Sequence, residues 1–264
     1  MKGNNTMTIS EINNKKLDSL YICIYCHKNT IQINSNNTLS KINIYTILGI
    51  NKNNDKTIIY MFHEKQDTTK MWLDVFQHLK DRGLDEILFF VYDYNKTVSK
   101  TAKLIFPNIK LINSIFTITN IFHMYSNIKS FGSTHKIIRG LVLETDKEDF
   151  LASYSKFDST YNNVIYNKLK DLYYPHILAL YDYPLSIRNL LCSLNKTIEI
   201  SDDIRILFSS YTPNSISEAY TKIESNIDLS FNIKSFNKKS WCLIVSDLIS
   251  IYNNINFIGG LNEK

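Results

Sequence analysis

One stretch of this chain constrains its fold more than any other. Residues 86–92 read Glu-Ile-Leu-Phe-Phe-Val-Tyr, and Asp93 follows at once. A segment so nearly all apolar suits a central strand covered on both faces, and such strands belong to sheets with helices packed above and below. Asp93 then stands at the carboxyl end of that strand.

The flanking segments supply the rest of such a sheet. Leu20 to Ile33 alternates and is rich in Ile and Tyr, which predicts a long strand. A polar turn at Asn34 to Asn37, a strand over Ile42 to Ile50, a turn at Asn51 to Asp55 and a strand over Thr57 to Phe62 make an antiparallel meander. The period then changes. Met71, Trp72, Val75, Phe76 and Leu79 share one face at helical spacing, and Arg82-Gly83 ends that helix. A helix over Val98 to Ile105, a Phe106-Pro107-Asn108 turn and a strand over Lys110 to Ile115 follow. The order β-β-β-α-β-α-β is that of a ribonuclease-H-like core. The expected fold class is therefore α/β, a mixed five-stranded sheet with helices, joined by an all-α insertion and a helical C-terminal part.

Beyond Phe116 helical patterns dominate. Tyr154 to Tyr183 is aromatic-rich, with a break at Pro175. Ile187 to Phe208 and Ser217 to Tyr252 are also helical, with Pro184 and Pro213 as breaks. The expected organisation is a polar tail over 1–16, the first part of the core over 17–130, a helical insertion over 131–185, and helices completing the core over 186–264.

Composition agrees with a globular protein and excludes other classes. The 264 residues are 44% hydrophobic, while 7 Gly and 4 Pro are few for an all-β chain full of tight turns. A chain of this length buries roughly 70–75% of its unfolded surface, so neither a disulfide nor a structural metal is needed. A formal net charge of +5 permits a nucleic-acid partner without demanding one. Residues 1–16 contain no apolar signal core, and no apolar run approaches the ~18 residues that span a bilayer. Cys23, Cys26, Cys192 and Cys242 are expected as reduced thiols, in a cytoplasmic protein.

Several motifs resemble the Mutator-type family of bacterial insertion-sequence transposases. Trp72-Leu-Asp-Val-Phe-Gln-His-Leu-Lys-Asp-Arg-Gly83 leads into the Asp93 strand, as a Trp and a Leu-Lys-x-Arg-Gly helix end do in that family. Tyr183-Pro184-Leu-Ser-Ile-Arg188-Asn, then Asn195 and Ile198-Glu199, is similar to its stretch from an Arg through Thr-Thr-Asn to Ile-Glu-Ser. Leu17-Asp18-Ser19-Leu20-Tyr21, Ile47-Leu-Gly49-Ile50, Pro107 and Trp241 fit as well, so the likeness covers nearly the whole chain.

The resemblance implies DNA transposition: cleavage and transfer of strands at insertion-element ends, by three carboxylates holding two Mg²⁺ or Mn²⁺ ions. Asp93 and Glu199 are the two recognisable acids, as catalytic groups and metal ligands. The slot of the first acid, mid-strand, falls on His27. Asp18 is the alternative, but it precedes the strand. Arg188 is a candidate phosphate contact. Implied partners are DNA, a second copy of the chain, or an intact transposase.

This sequence departs from the family pattern at other points. Ser114, Thr117 and Asn120 stand at the places where the family carries a Cys-x-x-His pair followed by Arg-Asn. Tyr94 replaces the Gly after the acid. The helical DNA-end-recognition domain that precedes this core in the family is not expected within these residues. Together with His27, these losses predict an inactive or severely impaired copy, with a non-enzymatic DNA-binding or transposase-interacting role as the alternative.

Each residue also has a plainer reading. Asp93 could be a turn former or helix cap, Glu199 a solvated surface charge, and Arg188 an exposed helix residue. Cys23-Ile-Tyr-Cys26-His27 spells a haem-attachment string, but in a strand positions 23 and 26 point to opposite faces, against haem or zinc. Trp72 and Trp241 are expected in the core.

Overall fold

The structure, a computed structural model, describes residues 7–93, 96–125, 130–160, 171, 173–193 and 195–252. Six strands form one mixed sheet: β1 (Leu20–Ser35), β2 (Thr38–Asn51), β3 (Asp55–Glu64), β4 (Glu86–Tyr92), β5 (Lys110–Asn113) and β6 (Ile233–Lys234). Their spatial order is β5-β4-β1-β2-β3-β6. The sheet thus has one strand more than expected, because the two-residue β6 adds to the far edge of β3. The first three strands run antiparallel, and β4 lies parallel to β1.

The meander is longer than the sequence suggested. Its β1–β2 hairpin continues to Ser35 paired with Thr38, and Asn36 and Asn37 both take positive φ, 50° and 61°. That is the type I′ geometry whose twist matches paired strands. Polar residues at this exposed end hide the strand from a reading that looks for apolar alternation.

Two helices cover one face of the sheet, α2 (Thr69–Asp81) and α3 (Lys96–Ile105). Thr68 caps α2 by accepting from the Met71 amide, and Gly83, at φ 100°, closes the turn beyond its end. Trp72, Phe76 and Leu79 pack there with Ile24, Ile47, Ile87 and Phe90. On the other face lie α1 (Ile9–Asn14), α8 (Asn195–Leu207) and α9 (Ile216–Asn226). Their Ile9, Ile12, Ile200, Ile204 and Ile223 pack with Ile31, Ile33, Ile44, Leu48 and Met61 of the strands. Burying each such side chain contributes about 2 kcal/mol, so apolar contact holds α8 against the sheet. Residues 1–16, expected as a polar tail, contain α1, closed by a Thr8–Glu11 capping box with Ile9 and Ile12 buried. Arg82 holds its far end, donating to the carbonyls of Ile12 and Lys15 and, across to β3, Ile59.

The chain divides into two compact units, Met1–Leu111 with Leu194–Ser235, and Ile112–Ser193 with Phe236–Lys264. The first contains the sheet and its helices, so the chain returns to the sheet at residue 194 and leaves it again at 236. These boundaries differ from the expected 131–185 insertion. The second unit is helical: α4 (Ile115–Tyr125), α5 (Phe131–Val142), α6 (Lys147–Thr160), α7 (Leu185–Leu191) and α10 (Lys238–Ile251). The long helix expected from Ile187 breaks between α7 and α8. Within this unit His123 bonds Thr134, and His135 bonds Thr119, tying α4 to α5. No helix among the described residues is long and apolar enough to cross a membrane.

Candidate active site

The first unit carries the candidate site. β4 is buried along nearly its whole length, and Asp93 follows its last residue with its side chain 27% exposed. The parallel β1–β4 register pairs Ile24 with Phe90 and Tyr25 with Val91. Two residues further on, that register brings His27 beside Asp93. Nδ1 of His27 lies 3.7 Å from Oδ2 of Asp93, with the His27 side chain 13% exposed. That separation exceeds an ordinary hydrogen bond, so the two groups interact through charge and contact.

His27 points to the sheet face that α8 covers. Asn29, on the same face by the two-residue period of a strand, donates from Nδ2 to the carbonyl and the hydroxyl of Ser201 at 3.0 and 3.1 Å. Asn29 Oδ1 and the hydroxyl of Thr46, the residue paired with His27 on β2, are buried without hydrogen-bond partners.

Burial is the largest influence on His27 and holds its pKa below the ordinary 6.5; the charges of Asp93 and then Asp202 oppose it. The imidazole is accordingly neutral at pH 7. On the opposite face of β1, burial pushes the Cys26 thiol well up, with Asp93 and Asp67 adding to the effect. Asp67 accepts from Lys28 Nζ at 3.1 Å and from the Tyr45 hydroxyl at 2.7 Å.

The other expected site residues are placed differently. Glu199 is on α8 as expected, but its side chain is 57% exposed and paired with Lys196. Asp202, which the sequence reading passed over, is the α8 carboxylate whose charge acts on His27. Asp18 precedes β1 and accepts from Asn51. Tyr94 lies outside the described residues.

Arg188 is a correction. It is 3% exposed, too buried for a phosphate contact in this arrangement. Its guanidinium donates to the carbonyls of Val142, Glu144, Thr145 and Tyr183, and lies 4.2 Å over the Tyr181 ring. It closes the C-terminal end of α5, where carbonyls lack helical partners. Trp72 is buried as expected, and Trp241, at the start of α10, stacks on Phe236 and stays partly exposed. Cys26 joins the core beneath α2, while Cys23 acts on Lys56 of β3, a residue whose ammonium lies over the Tyr25 ring on the other face.

This arrangement does not fit a pair of divalent metals. Mg²⁺ and Mn²⁺ favour oxygen ligands, and a neutral imidazole occupies the mid-strand position. Among the described residues, no group of three His, Cys, Asp or Glu side chains converges in a way that could hold a metal ion.

The model of the family described as "Transposase, Mutator family" matches residues 4–222, most of the chain. The chain belongs to the Mutator family of transposases. Over 191 residues this transposase-family chain is 25% identical to the "Transposase for insertion sequence element IS1201" of Lactobacillus helveticus, an alignment covering 69% of the chain and 49% of that protein. It is 20% identical over 200 residues to the "Transposase for insertion sequence element ISRM3" of Rhizobium meliloti (strain 1021), covering 75% of the chain and 50% of that protein. The chain thus spans about half the length of the curated relatives it matches. A solved structure, "CryoEM structure of simian T-cell lymphotropic virus intasome in complex with PP2A regulatory subunit B56 gamma", matches 50% of this chain and 52% of that chain at 8% identity, with a TM-score of 0.24. That value is too low to bear on the fold.

Proposed function

We propose that this chain is a ribonuclease-H-like transposase core, built for metal-dependent cleavage and transfer of DNA strands, whose catalysis is severely impaired in this copy. The element order and the sheet order β5-β4-β1-β2-β3 support the core reading. The observation that carries the impairment is His27, standing in register beside Asp93 on neighbouring strands.

In such a reaction two divalent ions would activate the attacking oxygen and stabilise the leaving one. Carboxylates supply both the ligands and the negative charge that hold them. His27 supplies no negative charge and cannot bridge two ions as a carboxylate does, and disturbing even an outer-sphere partner of a metal ligand typically costs 10–100-fold in affinity. What the residues present do is narrower: Asp93 keeps a carboxylate at the mouth of the strand, and His27 places a neutral ring against it.

DNA is the partner this reading implies, and the +5 charge favours retained binding even without cutting. A linear fall of log affinity with log salt would report direct phosphate contact, and no complex even at low salt would end the binding part of the proposal. For the catalytic part, the purified chain is incubated with supercoiled plasmid in Mg²⁺ or Mn²⁺. The expected nicking equals that of Asp93→Ala. Nicking that needs both the metal and Asp93 overturns the impairment.

A further inference from the structure

β3 is the last long strand on its side of the sheet, and its outer edge is covered piece by piece. β6 pairs with it only at Asp55 and Lys56. Further along, the register with β2 shifts and leaves Ile59 as a bulge without its own β2 partner; Arg82 Nη1 donates to the Ile59 carbonyl at 2.7 Å. Two residues on, the Asn13 side chain meets Met61. Its Nδ2 donates to the Met61 carbonyl at 2.7 Å, and its Oδ1 accepts from the Met61 N–H at 2.9 Å. A side-chain amide bonded in this way reproduces the two hydrogen bonds that one residue of an added antiparallel strand would make.

We propose that α1 is a plug for this edge: Asn13 occupies the place of an added strand and keeps β3 from pairing with the β3 of a second copy of this chain. The composition of the strand makes such pairing a hazard. Residues 58–62 are Ile-Ile-Tyr-Met-Phe, an uncharged apolar run, and an open edge of that kind templates strand addition. A second copy is the matching occupant, because antiparallel pairing of β3 with itself is isologous and sets each strand's open N–H and carbonyl groups against the same groups of the other. The helix itself is built as a cover. Its six residues are too few to persist alone, where roughly 12–15 are needed, so it is held from outside. Ile9 and Ile12 are buried with Ile58 and Met61 of β3, the Ile9 N–H donates to Glu224 of α9 at 2.7 Å, and the His78 ring of α2 bonds the Asn13 carbonyl at 3.0 Å. These contacts fix the residue whose amide faces Met61. The plug belongs to the first unit alone and holds whatever that unit catalyses.

The test removes the amide in two ways. Asn13→Ala opens the edge. Asn13→Asp also loses the bond to the Met61 carbonyl but leaves a carboxylate in its place, and a charge at an edge bars strand pairing. Mass is followed against concentration by light scattering, exchange of the Met61 amide hydrogen is followed by NMR, and circular dichroism confirms that each variant is folded. In dilute solution Asn13→Ala is expected to exchange this amide about tenfold faster than the natural chain, because a buried donor has lost its acceptor. On concentration it gains mass beyond that of the natural chain, and the Met61 amide regains protection. Asn13→Asp keeps the mass of the natural chain at every concentration, which separates pairing at the edge from association by a merely destabilised chain. No gain of mass by Asn13→Ala, a gain without renewed protection at Met61, or an equal gain by Asn13→Asp overturns the proposal.

Discussion

His27 and Asp93 stand side by side at the same level of two neighbouring parallel strands, Nδ1 to Oδ2 at 3.7 Å. The relationship follows from backbone pairing, since the register of Tyr25 with Val91 carries forward by two residues. A side chain at position 27 therefore faces Asp93 whatever its chemistry. A carboxylate there would give two acids across one strand gap; the histidine gives one acid beside a neutral ring.

Arg188 is expected to act on stability rather than on DNA. Arg188→Ala leaves the carbonyls of Val142, Glu144 and Thr145 without their donor, which costs about 3 kcal/mol. Thermal unfolding should show a clear loss, and Arg188→Lys should restore little, because an ammonium cannot reproduce the planar fork. The slope of log DNA affinity against log salt should not change. A slope lower by about one, with stability intact, would return Arg188 to the phosphate role.

Gly49 is fixed by contact. A Cβ at this position would lie 2.4 Å from the Tyr21 ring, which packs across the β1–β2 pair. Gly49→Ala should therefore destabilise the sheet by about 1–3 kcal/mol. Gly49→Ala combined with Tyr21→Leu should recover part of that loss in denaturant unfolding. Equal destabilisation in the two variants would contradict the contact.

Lys56 is expected to oppose folding at neutral pH. Burial lowers its pKa from an ordinary 10.5 to about 8, with Cys23 acting weakly the other way. Between those values the unfolded chain binds the proton and the folded chain does not, so this group's contribution to stability rises with pH across that window. Below about pH 8 the folded state carries the full penalty, on the order of 3 kcal/mol. Lys56→Met should therefore be more stable than the natural chain at pH 7, with the gap closing as pH approaches 10.5. A gap that is constant with pH would show that Lys56 is not strained by burial.

The parts of the site set by strand pairing were legible in the sequence. β4 declares itself by its apolar run, Asp93 by its place at the end of that run, and His27 by its position within a strand of alternating residues. What escaped depends on three-dimensional facing. Glu199 was legible as an acid on a helix, but not that its side chain is 57% exposed and paired with Lys196, because the face of α8 that meets β1 is set by the Asn29–Ser201 contact. Arg188 read as a surface charge because nothing local reveals the carbonyls of residues 142–145 that converge on it. Strand β6 has only Ile233 and Lys234, too short for any alternation to register.

The central claim is that one lost carboxylate at position 27 silences the site, and the most direct measurement is plasmid nicking by the natural chain against His27→Asp, each with and without Asp93→Ala, in Mg²⁺ and Mn²⁺. The account predicts metal-dependent nicking by His27→Asp alone, abolished when Asp93 is also replaced. Nicking by the natural chain at the same rate as His27→Asp, and equally dependent on Asp93, would contradict it.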